Sequence, residues 1–314
     1  MKKKLVAGAV TLLSVVTLAA CANGTNKDIV TMKGDTITVS DFYNEIKTNQ
    51  GAQQVLFQMT INKVFEKEYG SKVSDKEVDK ELAKQKKQLG NQFDAYLAQQ
   101  GLTEETAKKQ IRSNMLLEYA VNQAAKKDIK ESDYKAAFES YTPEVTAQII
   151  KLDSEDKAKK VLEAAKAEGA DFAQIAKDNS TDTATKDKGG EVKFDSGTAD
   201  IPSQVKEAAF KLDENGISDV ITVSAGQNYS ASYYIVKLNK KTEKGSDWKK
   251  YEKRLKEIIV DGRKQDTNYI RSIIAKAMTN ANIKVKDDAF KSTFNQYLQN
   301  IGVQTSDSSS SSKK

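Results

Sequence analysis

The sequence predicts an α+β fold: a helical domain assembled from both ends of the chain, with a smaller α/β domain inserted between them. Three observations carry this. Apolar residues recur at helical spacing, behind recognisable caps, between residues 40 and 140. From 143 to 241 the texture changes to strand, helix and glycine turn, and from 245 to 303 the helical spacing returns.

The chain begins with Lys2, Lys3 and Lys4, runs apolar from Leu5 to Leu18 and reaches small residues before Cys21, the three-part layout of a secretory signal. An apolar run of about 14 residues rises about 21 Å as a helix, short of the roughly 30 Å hydrocarbon core. Residues 1–20 are therefore expected to be read by the export machinery and removed. The ending Leu18-Ala19-Ala20-Cys21 resembles the bacterial lipobox, which implies that Cys21, the one cysteine of the chain, takes a diacylglyceryl group. Two acyl chains hold a protein at a membrane without a spanning helix. An unmodified lone thiol would be a liability in an oxidising compartment. Residues 21–28 are small and polar and form a tether between lipid and fold.

Ile29 to Val39 predicts a short hairpin turning at Lys33-Gly34-Asp35, after which Ser40 and Asp41 are expected to open a helix bearing Phe42, Ile46, Val55, Leu56 and Met59. Ser74-Asp75-Lys76-Glu77 has the form of a capping box. The Ser74 hydroxyl can accept from the Glu77 amide while the Glu77 carboxylate accepts from the Ser74 amide, and Val73 and Val78 are spaced as a hydrophobic staple. Leu82 and Leu89 extend that stripe. A further start follows Gly101, where Thr103 and an acidic first turn precede Ile111, Met115, Leu116 and Tyr119. Residues 29–140 are thus the N-terminal part of the helical domain.

Pro143 marks the boundary. Val145 to Leu152 predicts a strand, and Tyr233 to Leu238 the last strand of a domain spanning 143–241. After Gly245, Ser246 is expected to cap a helix carrying Trp248, Tyr251, Leu255, Ile258 and Ile259, continued by Ile270 to Met278 past a weak patch at Gly262. Residues 245–303 complete the helical domain, and the serine-rich residues 304–314 are expected to be disordered. Phe42, Met59, Met115, Tyr119 and Trp248 are expected chiefly as core.

Composition narrows the chemistry. The chain has no histidine and its single cysteine is committed to lipid, which removes Ser-His-Asp and Cys-His nucleophiles, imidazole or thiolate zinc sites and histidine proton shuttles. No cofactor or metal is expected. Loss of the three signal lysines lowers the net charge of +6 to about +3, and Lys interleaves with Glu and Asp without forming a basic stripe. No nucleic-acid partner is expected. Removing 20 of 314 residues leaves 294, enough for two or three domains.

Dispersed pieces of the middle domain carry a more specific message. Asp171 to Lys177 followed by Asn179-Ser180-Thr181-Asp182, the turn Gly189-Gly190-Glu191, Val205 to Leu212 and Gly216 to Val220 together resemble the parvulin family of peptidyl-prolyl isomerases over roughly 95 residues. With the lipobox, the helical flanks and the serine-rich tail, nearly the whole chain is similar to PrsA-type foldase lipoproteins of Gram-positive bacteria. This resemblance implies a helical chaperone domain with a satellite isomerase domain. The implied partners are unfolded or partly folded exported proteins, met at the outer face of the cell membrane, with a homodimer left open.

The implied isomerase pocket departs from the family pattern. The family's histidines on the first and last strands fall on Gln148 and Tyr234, expected as a structural pair filling the histidine space. Its methionine and phenylalanine of the proline pocket fall on Ile201 and Val205, and its glycine-turn leucine on Val192. The acidic position is kept as Asp182, which serves equally as a turn cap, and the hydroxyl position as Thr222. An insertion, Ser224 to Ser232, separates the last two strands. Isomerase activity is accordingly expected to be weak or lost.

Two other classes share the anchor. A lipid-anchored solute-binding protein of a transporter needs two α/β lobes with parallel sheets, against which the lysine-rich helical ends argue. An adhesive surface protein would not suppress the aggregation of a denatured enzyme.

Overall fold

The computed structural model describes residues 27–225 and 230–298. Cys21, the secretory segment, most of the tether, the serine-rich tail and residues 226–229 of the insertion lie outside the described residues. Compact packing divides the chain into two units, the described residues 27–70 with 274–298, and 71–273.

In the first unit, β1 (Asp28–Met32) and β2 (Asp35–Thr38) form the expected hairpin, with Gly34 in the left-handed region at φ +87°. Helices α1 (Val39–Ile46) and α2 (Gln50–Tyr69) follow. The start of α1 differs from the expectation at Ser40. Thr38 is the cap, its hydroxyl accepting from the Asp41 amide while the Asp41 carboxylate accepts from the Thr38 amide at 2.9 Å, because Thr38 ends the hairpin in extended geometry suited to a cap.

The second unit begins with α3 (Asp75–Leu89), whose capping box closes as expected through Ser74 and Glu77, and Val73 and Val78 are buried beneath it. Next come α4 (Phe93–Gln99), α5 (Glu104–Lys127), capped by Thr103, and α6 (Glu131–Ser140). A four-stranded antiparallel sheet then forms from β3 (Val145–Leu152), β4 (Glu191–Phe194), β5 (Ile221–Ala225) and β6 (Ser230–Lys240), in the order β4-β3-β6-β5. Between the strands run α7 (Glu155–Lys166), α8 (Phe172–Asn179) and α9 (Ser203–Lys211).

The sheet is covered on both faces. Val145, Ala147 and Ile149 of β3 pack with Val236 and Leu238 of β6 under Val205 and Ala209 of α9. Ile150, Leu152 and Ile235 face the other way, against Ala158 and Val161 of α7 and Phe172 and Ala176 of α8. The chain enters and leaves this module at one place, since Thr146 pairs with Lys240 and the Lys244 ammonium donates to the Phe138 carbonyl at 2.6 Å.

Past the sheet, Ser246 does not cap a long helix. Asp247 caps a short 3-10 turn, Trp248–Tyr251, from which α10 (Glu252–Gln265) begins, and Gly262 lies within it. Aromatic pairs explain the tight turn: Trp248 stacks on Tyr134 at 5.0 Å between ring centres and Tyr251 on Phe138 at 5.7 Å. Helix α5 packs against α3 and α10, and α10 also against α6. Helix α11 (Thr267–Asn280) returns the chain to the first unit, where α12 (Lys291–Leu298) packs on α2.

Candidate functional site

Two places bear on the binding of a polypeptide: an open groove in the first unit, and in the second the residues expected to line the proline pocket. In the first unit a groove of about 700 Å³ runs between α2 and the segment Asn282 to Phe294. Ile46, Val55, Met59, Ile283, Val285 and Phe290 are among its lining residues. The chain ends are tied together around it by polar bonds. The Tyr43 hydroxyl donates to the Asp287 carboxylate at 2.7 Å, a bond that raises the pKa of the phenol and lowers that of Asp287. Gln53 donates to the Ala289 carbonyl at 3.0 Å and accepts from Thr293 at 3.0 Å.

Large apolar side chains are exposed in the stretch that includes α2. Ile29, Val30, Met32, Ile37, Phe42, Tyr43, Val55 and Met59 are all exposed, and outside residues 29–59 only Tyr96 joins them among the described residues; Tyr43, Val55 and Met59 of this set line the groove. Phe42 and Met59, expected as core, are each 52% exposed. The structure corrects that expectation, and for Met59 the reason is visible in α2. Its apolar residues surround the helix instead of forming one stripe, so one packed face cannot bury them all.

The residues expected at the proline pocket lie in the module's sheet and α9. Val192 and Ile201 pack at the edge of the core to which the fully buried Val205 belongs, and Tyr234 lies on the same face. The expected partnership of Tyr234 with Gln148 does not form. Gln148 alternates with Ile149, so it shares the α7–α8 face with Ile150, while the Ile149 side chain occupies the face of Tyr234. Gln148 instead donates to the Gly189 carbonyl at 2.9 Å. Thr222 is likewise turned away, because it pairs with Tyr233 on the α7–α8 face. Asp182 spends its carboxylate on its own turn, accepting from the Thr185 hydroxyl at 2.6 Å and the Ala184 amide at 3.2 Å.

Sequence reasoning missed Lys151. It pairs with Tyr234 across β3 and β6, and its ammonium stands 5.9 Å from the centre of the Tyr234 ring on the α9 side of the sheet. The signal was its position two residues beyond Ile149 on the same strand. Gly190 fixes the neighbouring turn: at φ +79°, a β-carbon there would lie 2.5 Å from the Ile149 carbonyl oxygen.

Comparison with known proteins agrees with this architecture. Residues 141–240 match the family model of the rotamase, or PPIC-type PPIase, domain. The foldase protein PrsA of Streptococcus sanguinis is 62% identical over 302 residues, covering 96% of this chain and 90% of that protein. That of Streptococcus gordonii is 60% identical over the full length of both. The crystal structure of foldase protein PrsA from Streptococcus pneumoniae superposes with a TM-score of 0.78 at 54% identity, covering 86% of this chain and 99% of that one.

Proposed function

The chain belongs to the PrsA foldase family, and from that premise we propose that it assists exported proteins chiefly by holding unfolded segments in the apolar groove of its first unit. It is an extracytoplasmic foldase of Gram-positive type carrying a parvulin-like isomerase domain. The proposal adds an anchor, two acyl chains on Cys21 at the outer face of the cell membrane, and partners, namely unfolded or partly folded exported proteins. It also adds domain limits, with 29–140 and 245–303 as the chaperone part and 143–241 as the isomerase part.

One observation carries the holding role: exposed large apolar side chains are concentrated at residues 29–59, and three of them, Tyr43, Val55 and Met59, line a groove of about 700 Å³. An apolar groove rimmed by exposed side chains of this kind marks an interaction surface, and without an energy source its grip must be loose enough to release. The mature chain should suppress aggregation of a denatured exported enzyme. The double variant Val55→Glu, Met59→Glu should lose most of that effect while Tyr234→Ala keeps it. Full suppression by the groove variant would place client binding elsewhere.

Catalysis in the module is proposed to be weak. Two candidate polar residues, Gln148 and Thr222, sit on the α7–α8 face, away from Ile201 and Val205, Asp182 is consumed by its turn, and Gln148 and Tyr234 stand at the histidine positions. Turning a peptide bond means lowering a barrier of about 18–20 kcal/mol, and every 1.36 kcal/mol not supplied costs about tenfold in rate. A protease-coupled assay on proline tetrapeptides should give a rate near the uncatalysed one, unchanged by Asp182→Ala. Efficient turnover abolished by that variant would overturn this part. The solute-binding alternative has no place in the fold, since both described sheets are antiparallel.

A further inference from the structure

The loop that leads from β4 to the pocket helix α9 is held by a residue outside the isomerase module. Asp195, 6% exposed, accepts from five donors: Arg254 Nε at 2.6 Å and Nη2 at 2.8 Å, the Tyr141 hydroxyl at 3.1 Å, the Gly197 amide at 3.0 Å and the Thr198 hydroxyl at 3.0 Å. Arg254 belongs to α10, beyond the residues 141–240 that match the domain model. It also reaches Glu257 at 3.1 Å. One turn further along α10, Ile258 packs on Gly197, where a β-carbon would push against the Ile258 side chain.

The loop is tied in turn to the pocket wall. Lys206 of α9 donates to the Ser196 carbonyl at 2.9 Å and the Thr198 carbonyl at 2.7 Å, next to Val205. Ser196 and Thr142 exchange two further bonds, Ser196 donating its amide at 3.1 Å and accepting the Thr142 amide at 2.9 Å. An unbroken path of polar contacts therefore runs from α10 through Asp195 and Lys206 into α9. Burial alone pushes the Asp195 carboxyl up, but the Arg254, Thr198 and Tyr141 bonds outweigh it and hold the carboxyl below its ordinary range. A buried ion pair is weak evidence of stability, since a well-packed apolar pair often serves as well. What a two-pronged guanidinium–carboxylate bond adds is a fixed geometry.

We infer that Asp195 and Arg254 are positioning residues that set the α9 wall of the proline pocket from outside the module. The inference rests on the pocket reading given above. Hydrogen exchange on the full mature chain tests it. Arg254→Met should speed exchange across the loop and α9 by about tenfold or more, local opening having become easier, while β3 and β6 keep their rates. Arg254→Lys, able to make one of the two bonds, should restore part of the protection. A uniform rise over the whole sheet would mark the pair as a mere stability contact, and no rise at all would mark it as idle; either result overturns the inference. Titrating the unmodified chain with a proline peptide and following Ile201 and Val205 by NMR tests the pocket reading separately. Silent resonances there would remove the pocket and leave the exchange result standing. If both ideas hold, Arg254→Met should also weaken peptide binding, and Arg254→Lys should recover some of it.

Discussion

The first unit and the isomerase module are built from similar apolar residues and treat them in opposite ways. In the module both sheet faces carry a packed core, with Ala147, Ile150, Leu152, Val205, Ile235, Val236 and Leu238 at 0% exposure. In the first unit Val55 and Met59 of α2 stand 60% and 52% exposed beside an open groove. Burial of a Val or Met side chain stabilises by roughly 1.5–3 kcal/mol, so leaving several outside forfeits stability that the fold could have gained. The difference separates a part that must keep one shape from a part that must stay available.

The largest expected effect lies at the joint of the packed region. Asp195→Ala leaves the Arg254 guanidinium with Glu257 alone and strands three further donors, and should destabilise the second unit by about 3 kcal/mol, the low end for a broken buried pair because Arg254 keeps Glu257 and some access to water. Denaturant unfolding of the variant measures it; a loss under about 1 kcal/mol would mean that the joint packs without its charges. The same carboxyl sets a pH dependence. Its pKa is lower folded than unfolded, so its stabilisation is present above the ordinary aspartate range near pH 3.9 and is lost as pH falls below it. Acid titration of wild type should therefore show a larger loss of stability than that of Asp195→Asn, other carboxylates such as Asp287 contributing to both.

A pair of glycine substitutions sharpens the comparison directly. Gly190 and Gly34 both sit in the left-handed region, at φ +79° and +87°. Around Gly190 the Ile149 backbone leaves no space, whereas nothing lies within 4 Å of a β-carbon at Gly34. Gly190→Ala should cost about 2–3 kcal/mol, strain and clash together, and Gly34→Ala about 1 kcal/mol from strain alone. Equal costs, compared by thermal melts of each variant, would mean that the module's turn yields as easily as the hairpin.

Much of this architecture can be read in the sequence where local chemistry decides it. Ser74 and Glu77 form their capping box, Gly34 turns its hairpin and Asp171 caps α8 through the Gln174 amide. Legibility ends where distance in sequence begins. Asp195 and Arg254 are 59 residues apart and neither carries a local mark of the other. The faces of β3 are hidden for a different reason: Ile149 and Ile150 are both buried, so the alternation that would show Gln148 pointing away from Tyr234 is absent. Phe42 and Met59 mislead because apolar character implies burial only when a partner exists to cover it.

The smallest expected effect on stability is also the one that bears most on function. Met59→Gln exchanges an exposed thioether for an amide of similar length on a helix that accepts both, so unfolding free energy should change by less than about 0.5 kcal/mol. Burying that side chain against a client would nonetheless release apolar surface from water, and at about 25 cal/mol per Å² a contact of some 50 Å² is worth about 1 kcal/mol, or roughly fivefold in affinity. Fluorescence titration with a short apolar peptide should thus separate the two quantities: unchanged melting, weaker binding. The matching substitution in the module, Val205→Thr, buries an unpartnered hydroxyl and should do the reverse, lowering stability without touching peptide affinity in the groove. A Met59 variant that lost stability instead would show that its exposed position is occupied in the working protein by another part of the same chain, and the contrast between a packed and an available region would fail.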